Sequence, residues 1–178
     1  MNITHIASYK NNYWKKEEVN EVDKTNDVLI LTGEKRQKVL GFGGCFNELG
    51  WEALGLANKA EKESFIKELF ATDECNFNYG RIPIGANDFS LEWYSCDEVE
   101  DDYELKHFNI ERDKEYTIPF IKEAMKYQDS FTLFASPWSP PTWMKTKKAY
   151  NYGRIKMDEE VLKAYAKYFV KFVQAYND

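Results

Sequence analysis

Trp138 and Trp143 sit on a segment with three prolines, Ala135-Ser-Pro-Trp138-Ser-Pro-Pro-Thr-Trp143-Met-Lys-Thr146. Proline fixes φ and has no N–H to give to a sheet ladder. A strand entering this segment must stop, and its indoles are then held on a stiff loop. An indole offers a flat apolar face and one N–H donor, which suits the C–H faces and hydroxyl acceptors of a sugar ring. The same two rings could instead plug a core beneath a proline-kinked loop, and residue types alone leave both readings open.

Two further segments carry polar groups in unusual settings. Arg81 lies within Phe77-Asn-Tyr-Gly-Arg81-Ile-Pro-Ile84, flanked by apolar residues. Burying an unpaired charge is costly, so a guanidinium there needs a partner. A carboxylate in the same cavity would be held ionised by it, and a purely structural ion pair would serve equally well. Asp88 follows in Gly85-Ala-Asn-Asp88-Phe89-Ser90. A carboxylate at a loop start can accept from two sugar hydroxyls or act as an ordinary turn or N-cap aspartate. Upstream, Gly41-Phe-Gly-Gly44-Cys-Phe-Asn-Glu48 lacks the G-x-G-x-x-G spacing and any following lysine. It therefore reads as a strand exit with close backbone approach, not as a phosphate cradle. Glu48 is either a buried hydrogen-bonding carboxylate or a helix-start acid. Glycine-rich, Arg/Asp and Trp/Pro features at three successive strand exits favour one shared pocket.

The elements that would position these groups follow from periodicity and punctuation. Val28–Thr32 and Lys38–Phe42 read as two strands of a hairpin around Gly33-Glu34. A helix is expected from Asn47 to about Leu56. A second, capped by Asn58, should bury Phe65, Ile66, Leu69 and Phe70. The strand Phe77–Ile84 leads into a long polar loop, residues 87–115, whose acidic run 97–102 reads as solvated surface. Thr117 caps a helix with Pro119 in its first turn, with Ile118, Ile121 and Met125 inward. After the strand Phe131–Ala135, a helix runs from Asp158 to about Tyr176. Its stripe is Leu162, Tyr165, Ala166, Phe169, Phe172, Val173 and Tyr176. A hairpin followed by three β/α units implies a parallel sheet or a (β/α)-barrel. A complete eight-stranded barrel takes ~250 residues, so the expectation is an incomplete one.

Composition narrows the partners. A net charge of −6 argues against nucleic acid or an anionic membrane surface. No run is long and apolar enough for a membrane segment. The N-terminus lacks a signal-peptide pattern, so the sequon Asn2-Ile3-Thr4 is assigned no role. Cys45, Cys75 and Cys96 are odd in number and not at metal-ligand spacing from His5 or His107. They read as free thiols, the expected location is cytoplasmic, and no metal or cofactor is implied.

Gly41-Phe-Gly-Gly44, Gly80-Arg-Ile-Pro-Ile-Gly-Ala-Asn-Asp-Phe-Ser90, the segment Ala135–Trp143 and Tyr168-Phe-Val-Lys-Phe172 together resemble glycoside hydrolase family 30. The likeness is to its glucosylceramidase-like branch and runs, in order and spacing, from about Val39 onward. It implies a (β/α)8 TIM barrel beside an accessory β-sandwich, with residues 1–36 contributing sandwich strands and 37–178 the first three β/α units. The resemblance also implies a retaining β-glycoside hydrolase, whose two glutamates lie ~5–5.5 Å apart. The family's acid/base lies in an Asn-Glu-Pro segment ending the fourth strand, and its nucleophile ends the seventh. No Asn-Glu-Pro occurs in this sequence, so both glutamates are expected beyond Asp178 and no acid here is assigned catalysis. Matching residues imply substrate binding by Arg81, Asp88, Phe89, Trp138 and Trp143, with a carbohydrate partner and a missing C-terminal barrel portion. The 178-residue chain alone is then expected to be inactive. The alternatives are a non-catalytic carbohydrate-binding remnant and a small α/β domain with a nucleotide at its glycine turn.

Overall fold

The computed structural model describes residues 3–177, so Asn2 of the sequon lies outside them. The backbone divides into two compact units, Met1–Lys38 and Val39–Asp178.

In the first unit, β1 (His5–Tyr9) and β2 (Asn12–Glu17) form an antiparallel hairpin. It turns through Lys10-Asn11, with Asn11 at φ 62, a left-handed conformation that asparagine tolerates. The hairpin expected at residues 28–42 is absent, and residues 18–42 contain no regular strand. Leu29, Ile30 and Leu31 are exposed. A β-prone run becomes a strand only when a partner and a buried face select it, and this one has neither.

The second unit begins with Phe42–Phe46 laid parallel to β3 (Tyr79–Ile84). Tyr79 N–H donates to the Phe42 carbonyl at 3.0 Å, Arg81 N–H to Gly44 at 2.9 Å, and Phe46 N–H to Arg81 at 2.9 Å. A Cβ on Gly43 would lie 1.8 Å from the Tyr79 carbonyl oxygen, so close backbone approach is why glycine stands there. On its other edge β3 pairs in parallel with β4 (Thr132–Pro137), with Arg81 opposite Phe134. Helices α1 (Glu48–Gly55) and α2 (Lys59–Phe70) follow the first of these three parallel segments. Between β3 and β4 come α3 (Glu111–Glu115) and α4 (Thr117–Ala124), and α5 (Glu159–Asn177) follows β4. The three β/α units are thus present.

Gly80, Ile82 and Ile84 turn one face of β3 toward a core that includes Phe46, Ile66, Phe70, Phe120, Ile121 and Phe172. Phe46 meets Phe120 edge-on at 4.9 Å. A side chain at position 80 would run into Phe46, Phe131 and Leu133. Asn58 caps α2 with a complete capping box through Glu61.

Several expectations are corrected. Phe65 and Met125 are exposed. Thr117 is no cap but buried, because α3 delivers the chain to Tyr116 already in right-handed helical geometry, which leaves no extended cap position. On α5 the buried stripe is Val161, Ala164, Tyr168 and Phe172, while Leu162, Ala166 and Val173 face outward. The helix is rotated to place Tyr168 inward, where its hydroxyl accepts from Cys96 N–H at 2.8 Å and its ring meets Phe108 edge-on. The acidic run is only partly solvated, since Asp97 is buried.

Candidate active-site cleft

Strand exits present the candidate residues, and the loop after β3 is pinned from several sides. Ala86 N–H donates to the Tyr94 carbonyl at 3.0 Å, closing the loop at its base, and Leu49 N–H donates to the Phe89 carbonyl at 3.1 Å. The buried Asn87 side chain accepts from Phe89 N–H at 2.6 Å, and Ser90 Oγ accepts from Asn87 N–H at 3.0 Å. These bonds form an Asx-type turn that leaves Asp88 and Phe89 exposed at the tip.

The strongest anchor of this loop is Glu48, 2% exposed. Its carboxylate accepts from Arg112 Nε at 2.6 Å and Nη2 at 3.1 Å, and from Leu91 N–H at 2.8 Å. A bidentate guanidinium and a backbone donor satisfy the buried charge. Of the two readings open for Glu48, the structure selects the buried hydrogen-bonding carboxylate. So committed, it is not free for proton transfer.

Arg81 lies on the face of β3 away from the helices. Among the described residues it makes no ion pair, so the purely structural ion pair is not formed there. Its guanidinium carbon instead sits 5.5 Å from the Trp138 ring centroid, a cation–π distance. Phe134, its register partner, is 45% exposed, and Trp138 is 46% exposed. The fold thus brings Arg81 and Trp138 together and holds Asp88 and Phe89 on the neighbouring exit loop.

Trp143 does not join them. It is 2% exposed, donates its indole N–H to the Asp97 carbonyl at 3.1 Å, and meets Tyr103 edge-on. Of the two readings open for this indole, the structure takes the core plug, which fastens the acidic loop.

Lys145 is nearly as deeply buried, with neutral partners: it donates to Ser139 Oγ at 3.0 Å and to the Tyr150 carbonyl at 2.5 Å. Burial pushes its ammonium below the usual lysine range. Nearby, the Glu98 carboxylate accepts from Thr142 Oγ1 at 2.5 Å. Asp113, also buried, accepts from Tyr176 OH at 2.8 Å and Tyr94 OH at 3.1 Å, tying α5 to the loop after β3. Burial pushes its carboxyl up to about 6, and does the same for Asp97.

Sequence reasoning missed Arg112 and Lys145. Arg112 lay in a presumed featureless polar loop, and its partner is remote in sequence. Lys145 could have been flagged, since it follows Trp143-Met144 directly in a proline-stiffened segment. A small, half-open apolar pocket of about 80 Å³, lined by Phe46, Phe70, Phe77, Phe120 and Phe131 among others, lies on the helix side of the sheet. Arg81, Asp88, Phe89 and Trp138 do not line it. Among the described residues no His, Cys, Asp and Glu are grouped to hold a metal, and no helix is long and apolar enough to cross a membrane.

The parallel β/α units carry an Arg81–Trp138 contact and an exposed Asp88 on the loop after β3. Residues 39–178 match the Glycosyl hydrolase family 30 TIM-barrel domain, and the chain belongs to that family. It is 34% identical over 165 residues to the lysosomal acid glucosylceramidase of Mus musculus, covering 88% of this chain and 32% of the relative. It is 29% identical over 148 residues to the endo-1,6-β-D-glucanase of Neurospora crassa, covering 80% and 31%. A solved endo-β1,6-glucanase superposes with a TM-score of 0.75 at 29% identity, covering 94% of this chain and 37% of that one. The chain thus spans about a third of the length of the curated relatives it matches.

Proposed function

We propose that this chain supplies the sugar-holding wall of a retaining β-glycoside hydrolase acting on β-glucosides, with both catalytic glutamates on barrel strands outside it. The observation that carries the reading is the Arg81–Trp138 pair on the face of β3 away from the helices, with Asp88 exposed on the loop that follows the same strand. Asp88 would accept hydrogen bonds from the outer hydroxyls of the sugar to be cleaved, with Phe89 beside it. Trp138 would cover that sugar's C–H face. Arg81, with no carboxylate of its own among the described residues, would pair with the nucleophile and keep it ionised.

In a retaining reaction one glutamate attacks the anomeric carbon while the other protonates the departing oxygen. Water, deprotonated by the second, then releases the sugar. In this reading β1 and β2 belong to an accessory sandwich, and the three unpaired cysteines suit a reducing, cytoplasmic setting.

The test is an NMR titration of the chain with methyl β-D-glucoside, following the indole N–H signals. A shift of the Trp138 signal, weakened in Asp88→Ala, is expected, together with no turnover of an aryl β-glucoside. Turnover by the purified chain would sink the division of labour, and an unmoved Trp138 signal would sink the sugar contact.

A further inference from the structure

A second pair of aromatic rings stands at the same end of the sheet, and none of the roles above uses it. Trp93 shares the closed loop of residues 86–94 with Asp88 and Phe89 and is 57% exposed. It stacks on Tyr150, which lies beyond β4, with ring centroids 5.6 Å apart and planes inclined by 11°. Near-parallel rings at that separation are offset, so neither covers the other's whole face.

Three observations distinguish this stack from a packing contact. Trp143, on the neighbouring segment, shows what a structural indole looks like here: enclosed, with its N–H satisfied. Trp93 keeps its face in water instead, where stacking returns little burial energy. The backbones that carry both rings are also tethered. Tyr150 is held by Lys145 through its carbonyl, and the far end of the Trp93 loop is closed by the Ala86–Tyr94 bond. Finally, it is physically continuous with the proposed sugar site, because the Lys145 ammonium that holds Tyr150 also holds Ser139, the neighbour of Trp138.

We propose that the Trp93–Tyr150 stack is a second saccharide subsite, which receives the next hexose of a β-linked oligosaccharide when Asp88 and Trp138 hold the first. The inference rests on the glycosidase reading above and deepens it, making the preferred leaving group a sugar. An open aromatic face beside the carboxylates of Glu98 and Glu92 suits a ring that has both C–H faces and hydroxyls. An acyl chain asks for an apolar groove, and neither Trp93 nor Tyr150 lines the apolar pocket of this unit.

The experiment compares methyl β-D-glucoside, β-1,6-linked diglucoside and octyl β-D-glucoside by NMR titration of the chain. The disaccharide is expected to move the Trp93 indole signal and to bind about tenfold more tightly than the methyl glucoside, the scale of one aromatic stacking contact. Trp93→Ala should abolish that difference and leave methyl glucoside binding unchanged, while Trp93→Phe, which keeps a ring, should restore most of it. Equal binding of mono- and disaccharide, or a disaccharide preference that survives Trp93→Ala, overturns the proposal. A preference for the octyl glucoside that is lost in Trp93→Ala assigns the stack to lipid and also overturns it. If no glucoside moves any indole signal, the glycosidase reading fails and the subsite falls with it.

Discussion

The two faces of the β3–β4 sheet are built from the same strands and have opposite characters. Toward the helices, Gly80, Ile82, Ile84 and Leu133 meet Phe46, Phe70, Phe120 and Phe131 in close ring-to-ring contact. Away from them, Phe134 and Trp138 are open and Arg81 is half-buried, with Arg81 and Trp138 in a cation–π contact. Alternation along a strand sends successive side chains to opposite faces, so one hexapeptide, Tyr79–Ile84, serves both. One face holds the unit together, and the other displays groups that can bind. Mutations should therefore separate stability from recognition by face.

The largest effect is expected on the closed side. Phe172→Ala removes a side chain only 1% exposed and should cost about 3–5 kcal/mol of unfolding free energy in a urea melt. A loss below about 1 kcal/mol would mean the helix-side core is not the stabilising face.

Next comes the carboxylate that ties α1 to the loop after β3. Glu48→Ala leaves Arg112 half-buried without its bidentate partner and should cost about 3 kcal/mol. Hydrogen exchange at Leu91 should accelerate with it, because that amide loses its acceptor. Unchanged Leu91 protection would break the assignment of Glu48 as the loop's anchor.

Asp113 sharpens the comparison through pH. Its folded-state pKa is raised by burial to about 6, above the ordinary aspartate value. Its contribution to stability is therefore fully present below about pH 4 and is lost as pH rises through about 6. Two pKa units correspond to roughly 2 kcal/mol after allowing for relaxation. Asp113→Asn should flatten the decline in melting temperature between pH 4 and 7, leaving the part due to Asp97, which shifts the same way. A variant whose profile matches the parent's would remove Asp113 from the account.

The smallest stability effect belongs to the open face. Arg81→Met and Trp138→Ala should each change unfolding free energy by less than about 0.5 kcal/mol. Trp138→Ala should still weaken glucoside binding about tenfold by titration. A large stability loss with intact binding would reverse the roles of the two faces.

Helices were legible in the sequence where local chemistry decides them. Asn58 caps α2 as expected, and α1 starts beside Asn47, its cap in the structure, because a cap is an interaction with an N–H only two or three residues away. The length of α5 was equally legible, but not its buried face. With aromatic residues around much of its circumference, the choice fell to Tyr168, whose hydroxyl meets a backbone amide from a distant loop. The hairpin expected at residues 28–42 failed for the same kind of reason: strand propensity needs a partner that local sequence does not supply. At the site, the proline-stiffened Trp segment and the Asp88 loop stood out by residue type. The fate of the two indoles did not, because Trp138 and Trp143 share the same local context and differ only in what packs over them.

The sequence by itself determined the β/α order, the helix starts, the close backbone approach at Gly43 and the family to which the chain belongs. These rest on short-range sterics, capping and motifs written in contiguous residues. Only the tertiary structure decided which indole is open and which is buried, that Arg81 meets Trp138, and that Glu48 pairs with Arg112. Those outcomes depend on contacts between residues far apart in the chain, and their energies are settled by burial and pairing that no local pattern encodes.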